Sequence, residues 1–277
     1  MKLGIQIGVM AMEWRDKGDT DERQPCDAAV EMAGNLGLEG LEVFERHIMA
    51  YYDRPDYMEQ ILDDAGMQLS GAYFPMDAAL TDGGAPAVES ARRACSFLNE
   101  VGGGYLLLNG GPPKKEGSSY SMDDFKTVAK TANAIGEIGQ SFGISVVMHP
   151  HFKFMVETND DYETILEAGL NAKKVGLCVH ASHQVLAGSD PYVMYERHGN
   201  LVTYVHVGNG KSENGKHAGS FLGEGDLDQK RLMNPLLKED FDGWIVIECS
   251  QDGVSTKNYV ANTRTYLQSS FPEISWE

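Results

Sequence analysis

No apolar run in this sequence approaches the roughly 18 residues of a membrane-spanning helix, and basic residues are scarce. Lysine and arginine total 23 against 41 aspartates and glutamates, a formal charge of −18. That balance repels nucleic-acid phosphates and anionic membrane surfaces unless a local basic patch compensates, and the chain shows none. Only four cysteines occur, Cys26, Cys95, Cys178 and Cys249, without any CxxC pair. Their spacing excludes a disulfide scaffold or a zinc ribbon and implies reduced thiols in a cytoplasmic protein. The opening MKLGIQIGVMAM has neither a basic n-region nor an unbroken apolar stretch, so it reads as a first strand, not a signal peptide. No GxGxxG or GxxxxGK(S/T) phosphate loop follows that strand, which removes the best support for a nucleotide-binding open sheet. There is no GxSxG elbow either, and nothing beside Cys178 or Cys249 marks a nucleophile.

What is present is an ordinary globular composition, 42% hydrophobic and 23% charged, with a repeated alternation of short β-type runs and longer helical stretches. Eight runs are read as strands: 3–9, 40–44, 68–74, 105–109, 145–149, 175–180, 202–207 and 244–249. Helical periodicity with apolar residues every three or four positions marks 26–38, 87–102 and 122–143, each with a glycine in its last two positions. Eight strand–helix units of about 35 residues are the arithmetic of a closed (β/α)8 barrel. The expectation is an α/β TIM barrel spanning 1–277 as a single domain. The glycine-rich segments 82–86, 110–119 and 209–220 fall where loops are due, the last after strand seven on the face where barrel loops close over substrate.

Five of the eight histidines stand at the ends of strands five to seven: His149 and His151 in VVMHPH, His180 and His183 in GLCVHASH, and His206 in TYVHVG. In a barrel those ends surround one opening. His149, His180, His206 and Glu248 of IVIEC would therefore converge although 31, 26 and 42 positions separate them. Three imidazoles and a carboxylate at such a mouth can hold a divalent metal. Taken singly, each is also an ordinary polar residue at a strand terminus.

His151 shares a face with His149 while the chain stays extended, so one can bind metal while the other meets substrate. His183 suits a substrate-holding role as well as a loop position. Glu157, in MVETNDD, reaches toward the mouth or belongs to a helix cap formed with Thr158 and Asn159. Glu42 and Glu45 flank the end of strand two and Asn109 ends strand four; they have the right address and no distinctive chemistry. Trp14, Trp244 and the group Tyr51, Tyr52 and Tyr57 suit packing more readily than a sugar-binding wall.

These residues resemble the xylose-isomerase-like TIM barrels, the broad family of sugar phosphate isomerases and epimerases that also contains inosose dehydratase and the endonuclease IV type of repair enzyme. The likeness covers almost the whole chain. It is carried by AAVEMAGNLGLEGLEVF, by VGLCVHASHQVLAGSDPYVMYERHGNLVTYVHVGN, and by FLGEGDLD and FDGWIVIEC. The inosose dehydratase branch is the most similar, from HPH, VET and LAGSDP. The family's four metal positions, Glu, Asp, His and Glu on strands five to eight, fall on His149, His180, His206 and Glu248. Two carboxylates have thus become histidines, while the closing His of the family's Asp-x-x-His survives as His183. Gly208 and Asn209 replace the usual Lys-Asp, leaving Lys211 as a stand-in for substrate contact beside Asn109 and His183.

Such a ligand set carries charge −1 in place of −3 and favours Mn, Fe, Co or Zn over Mg. The resemblance implies a metal-dependent enzyme of carbohydrate metabolism that removes a proton next to the metal-polarised carbonyl of a keto-sugar or keto-polyol. Glu248, His151 and Glu157 are the candidate acids and bases. A second base would give isomerisation or epimerisation; one base alone would give elimination, as in a dehydratase. Lys114, Lys115, Lys153 and Lys211 are loop lysines that leave a substrate phosphate open. A small carbohydrate is the expected partner, with neither nucleic acid nor membrane, and a homo-oligomer stays open. The rival of another class is a metal-free barrel that binds sugar without turnover.

Overall fold

The computed structural model describes residues 1–11, 23–115, 119–213, 216–239, 241–248 and 251–272. In chain order the elements are β1 (Lys2–Gln6), α1 (Ile7–Ala11), α2 (Arg23–Asn35), β2 (Gly40–Phe44), α3 (Glu45–Ala50), α4 (Pro55–Asp64), β3 (Gln68–Phe74) and α5 (Ala85–Glu100). They continue as β4 (Tyr105–Leu108), α6 (Met122–Phe142), β5 (Ser145–Met148), α7 (Asn159–Glu167), β6 (Val175–His180), α8 (Ala181–Leu186), α9 (Pro191–His198) and β7 (Val202–Val207). The last are β8 (Asn209–Glu213), β9 (Lys216–Ser220), α10 (Gln229–Lys238), β10 (Trp244–Ile247) and α11 (Thr256–Ser270). Strands β1 to β7 and β10 close into one barrel, each pairing parallel with its neighbours, with β10 between β7 and β1. Among the described residues no helix is long and apolar enough to cross a membrane.

Local chemistry sets the helix ends. Ser121 accepts the Asp124 N–H while the Asp124 carboxylate accepts the Ser121 N–H, and Thr158 and Asp161 repeat that box before α7. Each such cap stabilises its helix by about 1 kcal/mol. α6 stops at Gly143, whose φ of 73° belongs to the left-handed conformation that glycine adopts without penalty.

Two apolar clusters result. The larger lies between strands and helices; the smaller joins Leu107, Val147, Cys178, Tyr204, Trp244 and Val246. The smaller one draws on five neighbouring strands, which only the barrel interior brings together. Its floor needs a glycine: a Cβ on Gly40 would stand 2.3 Å from the Trp244 ring. Trp244 is therefore a packing residue, as are the buried thiols Cys26, Cys95 and Cys178. Trp14 and Cys249 lie outside the described residues.

Several sequence expectations need correction: strands four and five, expected to reach 109 and 149, end at Leu108 and Met148. Strand one, expected over 3–9, ends at Gln6, and Ile7–Ala11 is helical; Ile7, Val9 and Met10 are buried in that helix, so their apolar character was compatible with either element. The last strand ends at Ile247, short of 249. Within segment 209–220, expected to be a loop, residues 209–213 and 216–220 are strands that pair antiparallel, with Lys211 opposite Ala218.

Candidate metal centre

Side chains alternate along a strand, so the residue two positions beyond an inward-facing one faces inward again. Adding two to Leu107, Val147, Cys178, Tyr204 and Val246 gives Asn109, His149, His180, His206 and Glu248. The same chain geometry that packs the barrel floor thus lines its upper end with polar groups.

Four of these five come together. His149, His180, His206 and Glu248 each offer one ligand atom, and the four atoms lie within 4.8 Å of one another. His206 Nδ1 is 3.0 Å from His149 Nε2 and in contact with Glu248 Oε2. Glu248 Oε2 is 3.2 Å from His180 Nδ1 and 4.0 Å from His149 Nε2. Tetrahedral ligands about 2.1 Å from an ion stand about 3.4 Å apart, and the 3.0, 3.2 and 4.0 Å separations among these donors fall on either side of that spacing. Both His180 nitrogens are buried with no hydrogen-bond partner among the described residues, and Nδ1 is the one that faces Glu248. Buried polar atoms normally have a partner, and an ion among the four donors would supply one to the ligating His180 nitrogen.

Two residues outside the predicted set, on β1 and β2, hold this cluster. Gln6 Nε2 donates to Glu248 Oε1 at 2.8 Å, and Glu42 Oε2 lies 2.6 Å from His206 Nε2. Gln6 and Glu42 are register partners on β1 and β2. They were findable by the same counting, two beyond Gly4 and Gly40, had it been applied to the first two strands.

The charges follow from these contacts. Burial would lower the His206 pKa, but Glu248 and Glu42 outweigh it and raise it to about 10. Burial would raise Glu248, yet His206 and His180 hold it well below the usual carboxylate range. His149 and His183 are pushed well below the ordinary imidazole value, chiefly by burial and then by neighbouring imidazoles.

His151 stands beside the four, its ring centroid 5.6 Å from that of His149 and 3.8 Å from that of His183. Its Nδ1 is 2.8 Å from the Phe152 carbonyl. A carbonyl only accepts, so Nδ1 carries the proton and Nε2 keeps its lone pair. Burial lowers the His151 pKa, favouring the neutral ring. Neither ring nitrogen of His183 is hydrogen-bonded among the described residues.

The other predicted residues are engaged elsewhere. Glu157 Oε1 accepts from Lys114 Nζ at 2.8 Å and Oε2 from the Lys153 N–H at 2.7 Å, fastening the loop after β5. Asn109 Oδ1 accepts from the Met76 N–H at 2.9 Å. Lys211 is exposed on β8. Glu45 accepts from Ser90 Oγ, and Tyr51 and Tyr57 stack on each other while both hydroxyls donate to Asp27.

Residues 30–269 match the family model described as xylose isomerase-like TIM barrel. Among curated proteins, the chain is similar to inosose dehydratase of Clostridium tetani, 22% identical over 294 residues that cover 95% of this chain and 96% of that one. Among solved structures it is similar to D-allulose 3-epimerase from Methylomonas sp. in complex with D-allulose, with a TM-score of 0.76, 16% identity and coverage of 98% and 96%. It is also similar to the IOLI protein with a bound zinc atom, with a TM-score of 0.76, 12% identity and coverage of 99% of both chains. Likeness at such identities speaks for the fold alone.

Proposed function

The chain belongs to the xylose isomerase-like TIM barrel family, and from that premise we propose a metal-dependent enzyme acting on a keto-sugar or keto-polyol. In this reading the enzyme takes a proton from the carbon next to the carbonyl and then expels a β-leaving group, a lyase of the dehydratase type. One observation carries the proposal: four buried donor atoms from the ends of β5, β6, β7 and β10 lie within 4.8 Å of one another. The similarity to inosose dehydratase supports the substrate class, and the zinc of the IOLI protein supports a nitrogen-tolerant transition metal, Mn, Fe, Co or Zn rather than Mg.

His149, His180, His206 and Glu248 would hold the ion, which when bound supplies Lewis-acid polarisation of the substrate carbonyl. The protein's own part is proton transfer and exclusion of water. His151 is the base, because its Nε2 keeps a lone pair, its ring is neutral, and it is not one of the four converging residues. Glu157 is less suited, with both oxygens taken by Lys114 and Lys153. Glu248 is less suited too, being held by Gln6, His206 and His180. With one competent base, the proton received by His151 is handed to the departing hydroxyl, and elimination follows. His183, packed on His151 and without a ring hydrogen bond among the described residues, is the group we assign to a substrate hydroxyl.

The test is incubation of metal-loaded protein with keto-inositols and keto-sugars in D2O. Elimination gives an enone-type absorbance and loss of water. Epimerisation, the second reading, would instead give deuterium in recovered substrate and epimer, and would require Glu248 to act as the opposite base. Saturable binding without deuterium uptake or product would support a sugar-binding barrel.

A further inference from the structure

We propose that Glu42 is a positioning residue of this centre: its carboxylate fixes His206 so that Nδ1 faces the cluster, and it supplies a second negative charge beside the ligands. The inference rests on the metal-dependent reading above and deepens it. Glu42 has no solvent exposure and neither does the His206 side chain, and their contact of 2.6 Å runs to Nε2. A carboxylate accepts, so Nε2 is the nitrogen that carries hydrogen there. Nδ1 is then the nitrogen that faces His149 and Glu248 and that would present a lone pair to a bound ion. A ring free to turn over would offer either nitrogen; this one is held between β2 and the cluster.

The charge count points the same way. With an ion bound, the imidazoles that ligate it would be neutral and the three with Glu248 would total −1, so a divalent ion would leave an uncompensated positive charge in a buried site, which is costly. Glu42 brings the sum to zero. The carboxylate charge missing from the strand-five and strand-six positions is found on β2, one hydrogen bond away from the ligand atoms. Partners of this kind on a metal-bound imidazole typically change metal affinity by about 10–100-fold.

A buried ion pair with a merely structural role would alter stability without altering metal selectivity or tautomer, so the experiment reads those. Affinity for Zn and for Mn is measured by chelator competition on wild type, Glu42→Gln, Glu42→Asp and Glu45→Gln. Glutamine keeps the volume and an accepting oxygen but removes the charge. The expected result is about 10–100-fold weaker binding in Glu42→Gln, partial recovery in Glu42→Asp, and no change in Glu45→Gln. The 15N spectrum of Zn-loaded wild type should show the His206 proton on Nε2, a readout that stands even where a variant does not fold. Unchanged affinity in a folded Glu42→Gln, or a proton on Nδ1, overturns the role of Glu42 alone. Wild type that binds no ion overturns both this role and the metal-dependent reading.

Discussion

Gln6 and Glu248 stand 242 residues apart in the chain and are joined by a 2.8 Å hydrogen bond where β1 and β10 pair at the closure of the barrel. The bond orients the carboxylate, engaging Oε1 and leaving Oε2 toward the three histidines. Replacing Gln6 with leucine removes a donor from a charged acceptor and should cost about 1.5–3 kcal/mol of stability. Urea unfolding of the metal-free protein measures it. A change near zero would mean that the contact does not hold Glu248 in solution.

His151 is the residue whose loss should separate chemistry from binding. His151→Asn is expected to lower kcat roughly 10^2–10^4-fold, the usual scale for a general base, while metal stoichiometry stays at the wild-type value. Single-turnover kinetics beside metal analysis checks both. Loss of metal together with activity would make His151 a ligand instead.

Glu157 gives the counterpart. Its ion pair with Lys114 is partly shielded, with side-chain exposures of 17% and 24%, so Glu157→Gln should cost no more than about 1 kcal/mol. Turnover should stay within a few-fold of wild type. A kcat collapse as deep as that of His151→Asn would return the base to Glu157.

How much of this was legible in the sequence can be traced residue by residue. The alternation that packs Tyr204 and Cys178 into the barrel also points His206 and His180 into its mouth, so the four converging residues could be read from strand ends alone. Glu42 was noticed and set aside because a carboxylate at a strand end looks the same whether it faces water or a histidine. Its partner is 164 residues away, and only the closed barrel brings them together. The pairing of β8 and β9 escaped notice because NGKSE and KHAGS carry no alternating apolar residues, and backbone pairing alone makes them strands. Glu157 had the right address, but the lysine that engages it comes from the loop after β4, 43 positions earlier.

The pH dependence of the metal-free protein follows from opposite shifts. His206, raised to about 10, contributes stability that is complete below its unfolded value of about 6.5 and is lost as pH rises through about 10. His149 and His183 are shifted the other way, so their contribution is present above about 6.5 and declines as pH falls below it. Thermal midpoints in EDTA should therefore be highest near neutrality and decline toward pH 10. A midpoint that rises steadily across that alkaline range would contradict the ion pairing assigned to His206.

The central claim is that four side chains from four strands form one metal site, and elemental analysis by mass spectrometry tests it most directly. Purified wild type, His180→Ala and Glu248→Ala are compared after reconstitution with Mn, Fe, Co and Zn in turn and removal of unbound ion. The account predicts close to one ion per chain in wild type and loss from both variants, with circular dichroism unchanged. Wild type that retains none of the four ions, or variants that retain it in full, would contradict the account.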